Sequence, residues 1–496
     1  MTSIFFLLLS LFLLLFLIAK TIFSKYNYRH IPGPCILPII GSLHHFIGSG
    51  LPHHALRNLS QRYGHLMFLQ VGERPTVIIS SREGARIIFK TCESIFCDRP
   101  NSLTTKIFTY GGKDLVLAPY GDYWRGIRKI ITSGFLSPMR VQSFRSIREE
   151  EVSDLIQLIS SMSSRMHAIN LSDMMSVMAN NVSVRAISGS KSNHEILFVN
   201  ELQRSAELAA GFCLANMFPS FCILSMISKQ VRKAEECHRS IDQLLENLIQ
   251  DRRASEVDGE ADDLLSLLLR HLDEHPNNSI SMDTAKAILF SAVGGGTHTT
   301  GAVLEWVMSE LVKNPSVMKK AQAEVRRLQG RKIITESDLA ELNFLRLVIQ
   351  ETLRLHPVAP LIPRVCPETV NILNHKVPKG TTLIVNMWAV GRDQTNWKYP
   401  EEFRPERFAE GNDHLLDSMG MELEFFPFGA GRRNCPGKFF GSAIVELTVA
   451  NLLYHFNWEL PCGLKPEQLD MTENFGISIR RKSSLLLHAL PHADAC

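Results

Sequence analysis

The chain has 496 residues, 45% of them hydrophobic and 21% charged, with 53 lysines and arginines against 50 acids for a net charge of +3. That much apolar sequence can bury a large core, and so balanced a charge argues against a nucleic-acid partner. The 10 cysteines are scattered without CxxC pairs, a spacing that fits neither a zinc ribbon nor a disulfide scaffold and suits a reducing compartment.

In chain order, the first element is an apolar run from Ile4 to Ala19, broken only by Ser10 and continued past Lys20 by Ile22-Phe23. At ~1.5 Å per residue, Ile4 to Phe23 spans about 30 Å, enough for a hydrocarbon core if Lys20 snorkels. A cleaved signal peptide usually carries basic residues ahead of its apolar run; here Lys20, Lys25 and Arg29 follow it. We read residues 1–23 as a retained membrane anchor, and the positive-inside rule then places the remainder in the cytosol. Residues 24–34 are a polar, basic linker ending in Ile31-Pro32-Gly33-Pro34. Its two prolines restrict φ and lack N–H donors, which predicts a stiff, non-helical hinge. Residues 35–496 follow as one domain.

Leu66–Val71 and Thr76–Ser80 read as a hairpin around Gly72, flanked by helical patterns at about His53–Tyr63 and Arg82–Cys92. Ser102 to Tyr120 lacks periodicity and predicts a loop. Helices are expected over Ser143–Ser164 and Lys229–Arg253, with an exposed acidic interruption from Ala254 to Ala261. A long helix should run from about Asp283 to Lys313, and Asn314-Pro315 supplies an N-cap and first-turn proline for the next. Another covers Leu342–Leu355 and stops before Pro357. Short strands and turns fill Arg364 to Asn386, and a last helix spans about Lys438–Tyr454. Helix dominates, with a minor β component near each end.

Four motifs carry chemistry. Trp124 and Arg128, four residues apart, share a helix face, as a plain amphipathic surface turn also would. Gly294-Gly295-Gly296-Thr297-His298-Thr299-Thr300 sets three glycines inside a helix, each costing ~1 kcal/mol relative to alanine. Small residues there let the backbone approach a bulky ligand. Glu351 and Arg354 lie one turn apart, with Arg407 some fifty residues on; alone the pair would read as a solvated helix face. Finally, Phe428-Gly429-Ala430-Gly431-Arg432-Arg433-Asn434-Cys435-Pro436-Gly437 places one cysteine in a glycine-framed loop ahead of an apolar helix. Glycines allow a close approach to a porphyrin, main-chain N–H groups can tune a thiolate bound to haem iron, and Arg433 has the spacing to reach a propionate. An ordinary buried cysteine in a tight turn would not need the full ten-residue pattern.

That loop resembles the haem-binding loop of the cytochrome P450 family, and the likeness extends from Pro32 to Gly476. Asp98-Arg99-Pro100, Trp388-Ala389 and Gly391-Arg392-Asp393 are similar to the plant microsomal branch. The resemblance implies a mainly α fold with small β-sheets, the P450 fold, as a single haem-binding domain behind an N-terminal transmembrane helix. It puts Cys435 at the axial-ligand position of heme b, framed by Phe428, Arg433 and Gly437, with Trp124, Arg128 and Arg364 at propionate positions. Glu351, Arg354 and Arg407 become a structural brace. Thr299 falls at the proton-relaying hydroxyl, while His298 replaces the usual acid. His298 is a working relay, a neutral groove residue beside water, or a mark of unusual chemistry.

Implied too are electrons from NADPH through NADPH-cytochrome P450 reductase; Arg125, Lys129 and Lys438 form either a basic patch suited to docking an acidic electron donor or an ordinary solvated face. The expected location is the endoplasmic reticulum membrane, single-pass, with the catalytic domain facing the cytosol. Segments matching substrate-recognition regions (Thr104–Leu117, Phe290–Val293, Val358–Ile362 and Gly476–Ser478) are mostly apolar and favour a small hydrophobic substrate. The implied activity is a monooxygenase oxidising a specialised metabolite, a terpenoid, alkaloid or phenolic. The alternatives are an oxidative cyclase, desaturase or isomerase on the same scaffold, and a haem-based ligand sensor.

Overall fold

The computed structural model describes residues 27–163, 167–191, 194–210, 213–254, 263–274, 280–409 and 425–492. The expected anchor at 1–23 and nearly all of the acidic interruption lie outside these residues. Among the described residues no helix is long and apolar enough to cross a membrane.

The first helix, α1 (Pro52–Tyr63), starts on its proline and ends at Gly64, whose φ of 101° stops it. The hairpin β1 (Leu66–Val71) and β2 (Arg74–Ile79) follows with Leu66 opposite Ile79. Then come α2 (Asp122–Lys129), α3 (Leu171–Ser188) and α4 (Lys229–Ala254). The long central helix is α5 (Met282–Gly294), a π-helical turn Gly295–Thr299, and α6 (Thr300–Lys313). After α7 (Asn343–Leu355), strands β3 (Leu361–Val365) and β4 (Thr382–Asn386) return to the hairpin. The four strands form one sheet ordered β1-β2-β4-β3; β2 runs parallel to β4 and β3 antiparallel to it. The short α8 (Met387–Val390), the helix α9 (Lys438–His455) after the cysteine loop, and the strands β5 (Glu473–Asn474) and β6 (Arg480–Arg481) complete the part that builds the site. The fold is mainly helical with small sheets, and its core runs along α6 and α9, where Leu304, Trp306, Val307, Leu447 and Leu452 are fully buried.

Several expectations need correction. The stretch from Ser102 is not all loop: Leu103–Phe108 is a helix, fixed by a capping box between Ser102 and Thr105. Six residues are too few to show a period. The helix α3 goes unannounced because nearly every face of it is buried, so it carries no amphipathic stripe. The helix beginning at Arg82 turns π-helical over Ile87–Thr91. Asn314 stands at the N-cap position of the helix Pro315–Val325 without capping it; its Nδ2 instead donates to the Glu310 carbonyl at 2.8 Å.

Candidate functional site

Backbone geometry sets the cysteine loop. Gly429 and Gly431 hold φ of 67° and 70°, where L side chains are strained. At Gly431 a Cβ would lie 2.3 Å from Glu93 Oε2 and 2.5 Å from the Phe89 carbonyl oxygen, so the loop can pass only as glycine. The Cys435 N–H donates to the Phe428 carbonyl at 2.9 Å, closing the turn. Burial pushes the Cys435 thiol up, while the Gly437 N–H and the charges of Arg128, Arg99 and Lys438 favour the thiolate. The electrostatics around the sulfur are thus arranged for an anion that a cation would complete.

The brace is assembled. Arg354 Nε and Nη2 donate to Glu351 at 2.7 and 2.9 Å, and Arg407 Nε reaches the same carboxylate at 2.9 Å. Arg354 also ties down the carbonyls of Gly391 and Pro400. Its guanidinium lies 5.2 Å from the centre of the Trp397 ring, which packs edge-on against Phe425 at the start of the cysteine segment. Charge buried in α7 therefore positions the loop by direct packing.

Arg128, Arg364 and Arg433 all come to the neighbourhood of the loop. Arg128 donates to the main-chain oxygen of Asn434 at 2.9 Å and to its side-chain oxygen. Arg433 gives Nε to Cys97 O at 2.7 Å and Nη2 to Ala118 O at 2.6 Å, and lies over the Trp124 ring. Trp124 Nε1 donates to Leu115 O at 2.9 Å. Trp124 and Arg433 thus spend donors on main-chain carbonyls.

Arg364 donates only to the Pro363 carbonyl. Burial, with the charges of Arg99 and Arg433, holds its pKa down to about 9, and burial and Arg99 likewise lower Arg433 to about 10. Arg99 is the residue the motif reading left without a role. Its Nε is buried with no hydrogen-bond partner, and its charge acts on both Asp114 and Cys435. Buried cations this crowded favour a polyanion. A sulfur donor with Arg99 and Arg128 beside it fits haem, whose iron would take the thiolate and whose propionates would meet the crowded arginines. The only sequence signal for Arg99 was the Asp98-Arg99-Pro100 motif.

Across from the loop, the π-helical turn splits neighbouring side chains. Thr299 is exposed, its hydroxyl donating to Gly295 O at 2.5 Å. A Cβ at Gly295 would meet nothing within 4 Å, whereas one at Gly296 would lie 2.4 Å from Ser183 Oγ of α3. Gly295 therefore borders open space and Gly296 serves helix packing. His298 turns the other way, towards the chain between β5 and β6, where its Nδ1 meets Ser478 Oγ at 2.5 Å. Burial, with Arg480 beside it, lowers its pKa to about 3, so it is a neutral imidazole at pH 7. Two pairings are seen among the substrate-matching segments: Thr104–Leu117 meets Phe290–Val293, and Val358 meets Ile479, just beyond Gly476–Ser478. Phe108 stacks on Phe290, Ser291 donates to Asp114, and Ile479 N–H joins Val358 O. In the basic patch, Arg125 pairs with Asp122.

Comparison with known proteins agrees with this geometry. The family model described as Cytochrome P450 matches residues 31–487. Desmethyl-deoxy-podophyllotoxin synthase of Sinopodophyllum hexandrum is 46% identical over 487 residues, 96% of this chain and 95% of that one. Amorpha-4,11-diene 12-monooxygenase of Artemisia annua is 42% identical over 480 residues, 96% of this chain and 95% of that one. A solved structure of a zebra fish cytochrome P450 with progesterone superposes with a TM-score of 0.75 at 27% identity, covering 89% of this chain and 100% of the other.

Proposed function

The chain belongs to the cytochrome P450 family and is a monooxygenase, and from that premise we propose that it oxidises a hydrophobic plant specialised metabolite at the space bordered by Gly295 and Thr299. Similarity to a synthase and to a monooxygenase acting on amorpha-4,11-diene supports that substrate class. Bound haem, ligated by Cys435, supplies the activation of dioxygen.

The chain's own groups do the rest. Cys435 gives the anionic sulfur, and the Gly437 N–H moderates its charge. Arg99 and Arg364 would hold the cofactor's acidic edge, framed by Arg128, bonded to Asn434, and by Arg433 and Trp124, bonded to main-chain carbonyls. Thr299 keeps a hydroxyl at the open face, where it can pass a proton. His298 contributes no charge and can move protons only by exchange between its two nitrogens. The apolar segments around Phe108 and Phe290 orient the substrate and exclude water. Electrons come from NADPH through NADPH-cytochrome P450 reductase, docked near Arg125, Lys129 and Lys438. Residues 1–23 anchor the enzyme in the endoplasmic reticulum membrane, with the catalytic domain in the cytosol.

The observation that carries the reading is one cysteine in a glycine-built loop beside crowded buried arginines whose charge Asp98 and Asp114 offset only in part. Cys435→Ser should abolish both turnover and the carbon monoxide difference band of the reduced protein; retention of either refutes the assignment. Microsomes with reductase and NADPH, given a mixed plant extract, identify the reaction by mass. Gain of one oxygen indicates insertion; loss of two hydrogens indicates ring closure or desaturation instead.

A further inference from the structure

Away from the cysteine loop, α1 begins with two adjacent histidines, His53 and His54, that meet Glu473 of β5. His53 Nε2 lies 2.7 Å and His54 Nε2 3.0 Å from the same oxygen, Glu473 Oε2. His53 makes a hydrogen bond there. His54 Nε2, despite its 3.0 Å approach, has no hydrogen-bond partner. Two donor atoms at contact distance that do not point at each other are what ligands converging on a common third point look like. Among the described residues, this is the group of His, Cys, Asp or Glu whose ligand atoms all fall within 4.8 Å of one another.

We propose that His53, His54 and Glu473 bind one divalent transition-metal ion of the zinc class. Two imidazole nitrogens with one carboxylate oxygen suit zinc, whereas calcium and magnesium want oxygen alone. His53 Nδ1 has no partner and can take the proton that ligation at Nε2 displaces. The frame is fixed: Asn386 Nδ2 holds the His53 carbonyl at 2.9 Å, and Trp388 Nε1 donates to the other carboxylate oxygen, Oε1, at 3.3 Å. Arg392, the nearby cation, is paired with Glu401 at 3.1 Å. His54 has 36% of its side chain exposed, although its Nε2 is buried. An ion here would cross-link α1 to the chain that carries Ser478 and so faces His298.

The test uses full-length haem-loaded protein without a polyhistidine tag, stripped by a chelator and titrated with zinc by calorimetry. One zinc per chain is expected. H54Q, which alters a half-exposed side chain, should weaken zinc binding by at least about tenfold while leaving the carbon monoxide spectrum intact. No saturable uptake, or equal uptake by wild type and H54Q, overturns the proposal and leaves a hydrogen-bonded buried carboxylate only.

Discussion

His298 illustrates how one side chain can look catalytic in sequence and acquire a narrower character in three dimensions. Its position in the glycine-rich turn was legible; its orientation towards Ser478 was not, because a π-helical turn rotates successive side chains differently from an α-helix. With its pKa lowered to about 3, the folded protein refuses a proton that the unfolded chain accepts below about 6.5. The contribution is therefore constant above that value and is lost as pH falls from 6.5 towards 3, by up to about 1.4 kcal/mol per pH unit. Urea unfolding at pH 7 and pH 5 should show wild type losing about 2 kcal/mol more than His298→Gln over that interval. Equal losses would mean that His298 is protonated in the native state.

Elements owe their placement to contacts between residues far apart in sequence. Glu351 sits in α7, yet its carboxylate accepts from Arg354 in the same helix, Arg407 beyond it, and the Arg404 main-chain N–H at 2.7 Å. Glu351→Ala strands two arginines and should cost about 3–5 kcal/mol, seen as a lower unfolding midpoint and faster haem loss. The central helix makes a second case. Gly296→Ala would press a methyl group against Ser183 of α3 and should cost about 1–3 kcal/mol. Ser183→Ala in the same chain should recover part of that, because it removes the closest atom, Oγ at 2.4 Å, and leaves Cβ at 3.0 Å. An additive double mutant would show that the glycine is not there for packing. The family resemblance supplied the triad's members, but spacing could not distinguish Gly295, open to the site, from Gly296, closed by a neighbouring helix.

For the whole molecule, the membrane anchor proposed at residues 1–23 can be tested directly. Removing residues 1–23 should move the protein from the microsomal pellet to the supernatant in high salt, while the carbon monoxide band is kept. Retention in the pellet with loss of the band would mean instead that the segment serves folding. Much was readable in the chain itself. The hairpin, the long helices and the Cys435 loop are local: each follows from periodicity, caps and glycines within a few turns of one another. Only the tertiary structure crowded Arg99, Arg364 and Arg433 together, set Arg99 and Arg128 beside the Cys435 sulfur, made α3 a buried helix, and joined His53 and His54 to Glu473 some 420 positions away. Those outcomes depend on burial and on mutual charge. Both are properties of what packs against a residue rather than of what precedes or follows it.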